Sequence, residues 1–143
     1  MTLDDLKEQV KNDLAILNDE RLDNESFKNQ ELYSKYLDHK TNFELLLYRA
    51  KGDYKVLYRE KWEYYGGKAD PEVYKEKPLD LKILKQDVPI YLEGDEELIE
   101  SQHTVEYHKA MCDHAEKMCK MLNNRGFQIK NAIDWKRFME GSI

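Results

Sequence analysis

From Asp23 to Gly66 nothing in this chain interrupts a helix except one glycine. No glycine occurs before position 52 and no proline before position 71. Asp23 or Asn24 can cap the start, and Gly66-Gly67 closes the end. Counted from Tyr33, the a and d positions of a seven-residue repeat are Tyr33, Tyr36, Lys40, Phe43, Leu47, Ala50, Tyr54, Leu57, Lys61 and Tyr64. Eight of these ten are apolar or aromatic, which makes a seam and commits the chain to a long helix packed lengthwise on other helices. Gly52 is the soft spot inside it.

The flanking segments fit a mainly α fold. Thr2 followed by Asp5 has the form of a helix start, and Leu3, Leu6, Val10, Leu14 and Leu17 then share one face, giving a first helix that ends near Asn18-Asp19. Residues 68–78 read as a loop with one helical turn after Pro71. Leu79, Leu81 and Ile83, then Val88, Ile90 and Leu92, alternate with period two, which argues for two short strands in a small β-hairpin. Gly94-Asp95-Glu96-Glu97 opens another helix carrying Leu98, Val105, His108, Cys112, Ala115, Cys119 and Leu122. Asn123 to Gly126 stop it, and a short last helix packs through Ile129, Ile133, Trp135 and Phe138. The expected organisation is a single domain over 1–143, made of N-terminal helices (1–67), a connecting segment (68–93) and C-terminal helices (94–143).

With 143 residues, 36% of them charged and only 6 Gly and 3 Pro, the composition is that of a folded, soluble chain. No apolar run approaches the roughly 20 residues of a bilayer span, and MTLDDLKEQV is acidic where a signal peptide is basic, so a cytoplasmic location is expected. Cys112 and Cys119 lie seven residues apart on one helical pattern, a rise of about 10 Å, beyond the roughly 4.4–6.8 Å between disulfide-bridged Cα atoms. Reduced thiols are the expectation.

The net charge of -6 excludes a uniformly basic coat for DNA, but the charge is unevenly spread. Residues 1–25 carry 8 acids and 3 bases, and residues 86–107 carry 7 acids and no base. Residues 51–85 hold 9 bases and 7 acids, and residues 108–143 hold 7 and 4. A polyanion is drawn to the latter pair. Within the first of them, YKVLYREKWEYY (54–65) crowds aromatic rings among cations. Lys51, Lys55 and Arg59, spaced i, i+4, i+8, form a basic stripe beside an aromatic stripe of Tyr58, Trp62 and Tyr65, and Lys68 follows the glycines. Rings that stack on unpaired bases, with cations between them for the phosphates, are what sequence-tolerant single-strand binding requires. Lys61 points about 200° away from Arg59 on an ideal helix, toward the seam. It either snorkels out or reaches the strand where the helix end frays. The same spacing also suits a helical adaptor whose tyrosines are buried and whose basic edge is merely solvated.

Other chemistries find little support. His108 and Cys112 are one turn apart, but Cys119 is too far along the axis and His114 faces away, so no metal site is expected. Glu93, Asp95, Glu96, Glu97 and Glu100 lack the ligand spacing of a calcium loop and read as an acidic helix start. No nucleophile–base pattern and no phosphate-cradling glycine loop occurs, so neither enzymatic activity nor a cofactor is expected.

Three patches carry a resemblance that runs from end to end: LYSKYLDH at Leu32–His39, Arg59-Glu60-Lys61 followed by Tyr64-Tyr65-Gly66, and Arg125-Gly126-Phe127 with Ile129-Lys130 and then Phe138 close to a glycine. In order, spacing and total length the chain resembles the UvsY family, the recombination mediators of T4-like bacteriophages. The resemblance implies a non-enzymatic single-stranded-DNA binder of DNA recombination, repair and replication. Such a protein would act in the host cytoplasm and load a RecA-like phage recombinase onto DNA covered by single-strand binding protein. It also implies a ring-like homo-oligomer of about six or seven subunits, assembled through the C-terminal part. Phe127, Ile129, Ile133, Trp135 and Phe138 are the apolar residues expected there. The family's DNA-contacting cations fall on Arg59 and Lys61 with identities exchanged, which alters hydrogen-bond geometry while keeping charge. Trp62, directly after Lys61, replaces an aliphatic residue and adds stacking area.

Overall fold

Helices are the only regular elements among residues 1–141, the residues that the computed structural model describes. They are α1 (Leu3–Leu14), α2 (Leu22–Tyr65), α3 (Pro71–Glu76), α4 (Val88–Glu93) and α5 (Glu96–Met139), with a 3-10 turn at Lys85–Asp87 before α4. No helix among these residues is long and apolar enough to cross a membrane.

Local chemistry sets most of the boundaries. Thr2 caps α1: its Oγ1 accepts from the Asp5 amide at 3.1 Å while the Asp5 carboxylate accepts from the Thr2 amide at 3.0 Å. The chain leaves the helix at Ala15, earlier than the apolar face suggested, and Leu17 is exposed. Asp23 and Asn24 do not cap α2, because they lie inside its first turn. The lead-in turn is instead held by Asn18, whose Oδ1 accepts from the Glu20 and Arg21 amides. At the other end Lys68 donates to the Glu63 carbonyl at 2.8 Å and Gly67 to that of Tyr64 at 3.2 Å, with Gly67 at φ 73°. This is a glycine-terminated Schellman end, in the left-handed conformation that a Cβ would oppose.

Two further expectations from the sequence are corrected. Residues 79–93 form no hairpin, and no strand occurs among the described residues. Val88 and Leu92 are buried one helical turn apart, while Ile90 between them is exposed. Pro89 starts this short helix, since a residue without an amide proton costs nothing there. Second, α5 does not stop at Asn123–Gly126 but runs on to Met139. Gly126 is a close-approach residue: a Cβ there would stand 3.3 Å from Asn29 Nδ2.

The described residues form two compact units, residues 1–44 with 109–141, and residues 45–108. In the first, α1 is tied to α2 by Asp13, which accepts from Lys35 Nζ and from the Tyr36 hydroxyl at 2.7 Å each, and by a 3.0 Å contact of Gln9 with His39. Burial and the Asp13 hydrogen bond both push the Tyr36 phenol well above its ordinary pKa. Here α2 and α5 run antiparallel, since Glu25 meets Arg125 and Asn29 meets Leu122. Its core includes Leu6, Val10, Tyr36, Phe43, Met111, Ala115, Met118, Leu122 and Ile129. In the second unit Val88, Leu92 and Leu98 form the core, covered by Tyr54, Leu57, Tyr65 and Ile83. The seam read from the sequence is thus the inward face of α2 from Tyr36 onward, whereas Tyr33 is exposed.

Candidate nucleic-acid interface

The outward face of α2 in the second unit presents Lys51, Lys55, Tyr58, Arg59 and Trp62 to solvent, and Lys68 follows beyond the glycines. Six of the eight residues singled out in the sequence are therefore available to a ligand. Tyr48 joins them: it is exposed, and it precedes Lys55 and Trp62 by seven and fourteen residues. From Tyr48 to Trp62 the helix rises about 21 Å. A ladder of ring, cation, ring on one face was readable in the sequence at that spacing, but Tyr48 lies outside the densest aromatic cluster.

Lys61 and Tyr65 face the other way. The Lys61 side chain is 13% exposed and lies between two carboxylates, 3.4 Å from Asp95 and 3.2 Å from Glu97. The Tyr65 hydroxyl donates to Asp95 at 2.5 Å, and Asp95 also accepts from the Leu98 amide at 3.0 Å, capping the start of α5. Burial pushes the Asp95 carboxyl up, but the hydrogen bonds from Tyr65 and Leu98 and the Lys61 charge outweigh it and hold the group below its ordinary value. Burial and the same Asp95 contact raise the Tyr65 phenol. Tyr65 is therefore a structural tyrosine and not a free stacking surface. Tyr64 is also engaged, stacked on Tyr74 at 5.4 Å and donating to the Lys77 carbonyl at 3.1 Å. Tyr74 in turn donates to the Tyr64 carbonyl at 2.8 Å. These contacts pin the segment after α2 against its last turn.

That pinning brings together cations that the sequence keeps apart. Arg59, Lys61, Lys68 and Lys77 line one cavity of about 470 Å³ together with the carboxylates of Glu60, Glu63, Asp70, Glu76 and Glu97, so its lining is not basic on balance. Lys77 donates to Glu97 at 2.5 Å, and this hydrogen bond, followed by that from Lys61, lowers the Glu97 pKa. Arg59 has no ion-pair partner among the described residues. Lys77 and Glu97 escaped the sequence reading because their meeting depends on the fold of residues 68–95.

The apolar residues expected at a subunit contact belong to the first unit. Phe127, Trp135 and Phe138 are exposed, with the last two rings stacked at 5.6 Å, and Ile133 is half-buried. Ile129 is buried in the chain's own core, which removes it from the surface. Among the described residues no group of three or more His, Cys, Asp or Glu side chains gathers as metal ligands do.

Residues 8–142 match the family model of UvsY, described as recombination, repair and single-stranded-DNA-binding protein. The chain is 26% identical over 141 residues to recombination protein uvsY of Enterobacteria phage T4, covering 99% of both sequences. Crystal structures of the bacteriophage T4 recombination mediator protein UvsY have the same fold. One lattice form (type II) aligns with a TM-score of 0.83 at 25% identity over 98% of each chain. Another (type I) aligns at 0.82 and 24% identity over 94% of this chain and 98% of that one.

Proposed function

This chain belongs to the UvsY family of recombination, repair and single-stranded-DNA-binding proteins, and on that footing we propose that it is a recombination mediator whose DNA track is the outward face of α2. The observation that carries the assignment is the exposed alternation of Tyr48, Lys51, Lys55, Tyr58, Arg59 and Trp62 on one helix face. Successive bases stack on the rings, and the cations between them meet the phosphates of the same strand. The protein helps a RecA-like phage recombinase onto DNA covered by single-strand binding protein in the host cytoplasm, acting by binding alone, without a chemical step. It works as a ring-like homo-oligomer. Phe127, Trp135 and Phe138 supply the exposed apolar surface for subunit contact, with Ile133 beside them. A ring reconciles an acidic subunit with a polyanionic ligand, because many copies of one weak basic-aromatic patch act on a continuous strand at high effective concentration.

Titration of labelled oligo-dT over a salt series tests the track. Arg59→Ala weakens binding and makes the slope of log affinity against log salt shallower by about 0.7 per lost phosphate contact in each subunit engaged. Trp62→Ala weakens binding by about 1–3 kcal/mol per stacked base while leaving the slope nearly unchanged. Wild-type affinity and slope in both variants would place the DNA elsewhere.

A further inference from the structure

Nothing within the chain requires a glycine at position 52. Of the six glycines, Gly66, Gly67, Gly94 and Gly141 stand at helix ends and Gly126 meets Asn29. Gly52 lies in the interior of α2, where glycine is the least favourable residue after proline, and a Cβ added there would meet nothing within 4 Å. A helical side chain leans toward the helix N-terminus and covers the turn before its own Cα. A side chain at 52 would therefore lie over the turn that carries Tyr48, four residues earlier. Without one, Tyr48 is 66% exposed, against 40% for Tyr58 and 41% for Trp62. Its ring and hydroxyl make no hydrogen bond or ring contact among the described residues.

The charge around this bare ring suits a polyanion. From Tyr48 to Arg59 the helix carries Arg49, Lys51, Lys55 and Arg59 against one acid, Asp53. Asp53 points about 140° away from Tyr48 on an ideal helix. Val56, one turn beyond Gly52, is exposed and apolar. We propose that Gly52 opens a base slot on the DNA track, in which one unpaired base lies over the bare helix backbone and stacks on the side of Tyr48 that a residue at 52 would cover. Lys51 and Lys55 meet the phosphates on either side of it. A floor without a polar side chain reads no base edge, so the slot accepts any base. A duplex is excluded, because both faces of its bases stay stacked on their neighbours. The inference rests on the α2 track proposed above and names the position at which that track takes up a base.

Binding of the full-length protein to labelled oligo-dT, and to an abasic strand of the same length, tests the slot. Gly52→Leu is expected to weaken oligo-dT binding roughly 5- to 100-fold for each base engaged, the scale of one lost stack, and to move abasic-strand binding by less than about 2-fold. Tyr48→Ala is expected to do the same. The double variant Tyr48→Ala/Gly52→Leu should bind oligo-dT about as weakly as either single variant, because all three remove one stack. Gly52→Ala and Gly52→Leu should both raise the melting temperature, since each favours helix and its Cβ faces open space. A loss of affinity alongside that rise cannot come from unfolding. Equal losses on the two strands would mean that leucine merely obstructs the phosphate chain, and additive losses at Tyr48 and Gly52 would mean that the two act apart; either result overturns the slot. So does a changed sedimentation profile of Gly52→Leu without DNA, which would make this face a contact between copies. Arg59→Ala separates the two levels of the proposal. If it weakens binding while Gly52→Leu keeps wild-type affinity for oligo-dT, the track stands and the slot is wrong. If neither variant alters binding, the track and the slot fall together.

Discussion

Each unit of the molecule turns one cation of a long helix inward, and the two are held in opposite ways. In the first unit Arg125 is 1% exposed, and its guanidinium is saturated. It donates to the Leu14, Ala15 and Glu25 carbonyls and to Asn29 Oδ1, and it pairs with the Glu25 carboxylate. Two of these acceptors are the carbonyls where α1 ends, and three come from the start of α2. One planar five-donor group thus joins three helical segments of that unit, which a lysine could not do. In the second unit Lys61 shares its ammonium between a buried Asp95 and a half-exposed Glu97. Where all partners of a buried charge are fixed, the charge is structural. Where one partner is half-exposed to water, the charge is held less firmly. The helical period placed Lys61 in the seam, where the geometry puts it; a DNA contact at Lys61 is an implication of the family resemblance alone.

Mutations that remove each cation break the comparison most directly. Arg125→Leu leaves the Glu25 carboxylate buried without its partner and frees several carbonyls, so it is expected to cost about 3–5 kcal/mol in urea unfolding. Lys61→Ala leaves Asp95 with two of its hydrogen bonds and is expected to cost less, about 1–3 kcal/mol, besides weakening DNA binding. Equal losses for the two variants would erase the distinction between a locked and a shared cation. Because Lys61 carries a structural share, Arg59→Ala reports DNA contact more cleanly than any variant that includes Lys61.

Acid sharpens the same contrast. Asp95 and Glu97 both have folded-state pKa values below their ordinary 3.8 and 4.5. Between folded and unfolded values the unfolded chain binds more protons, so stability rises with pH there. The contribution is complete above the ordinary values and is lost as pH falls through the depressed ones. Melts of wild type and Asp95→Asn should therefore differ at neutral pH and converge in acid. A gap that persists once Asp95 is protonated in the folded state would mean that packing, not ionisation, carries its effect.

A smaller effect is expected at Gly126, one residue from the buried guanidinium. Alanine there gains about 1 kcal/mol of helix propensity. Its Cβ presses on Asn29, whose amide donates to the Leu122 carbonyl at 3.2 Å and whose oxygen accepts from Arg125. The melting temperature should fall slightly despite the gain, and a rise would show that Asn29 yields freely.

These sites also mark where the sequence was legible. The seam of α2, the Thr2–Asp5 cap and the glycine stop were readable because their causes lie within a few residues. Asn123-Asn124-Arg125-Gly126 looks like a helix stop by residue type, and only Glu25 and Asn29, about a hundred positions away, explain why the helix runs through it. Val88, Ile90 and Leu92 fit period two over five residues, but a five-residue run cannot separate a strand from a helix buried at i and i+4. The exposed face of the candidate interface was legible from spacing alone. The cavity was not, because Lys77 and Glu97 reach it only through the tyrosine contacts that fold residues 68–78 onto the end of α2.

The most direct measurement places a reporter on the proposed track. Trp62 and Trp135 are the chain's two tryptophans, and Trp135→Phe leaves Trp62 as the sole tryptophan, excited selectively on the red edge beyond tyrosine absorption. On titration with oligo-dT, Trp62 emission should change saturably, in step with the anisotropy of the labelled strand, and both signals should reverse together as salt is raised. Binding that registers in anisotropy while Trp62 emission stays flat would contradict the account, because the strand would then lie on another surface.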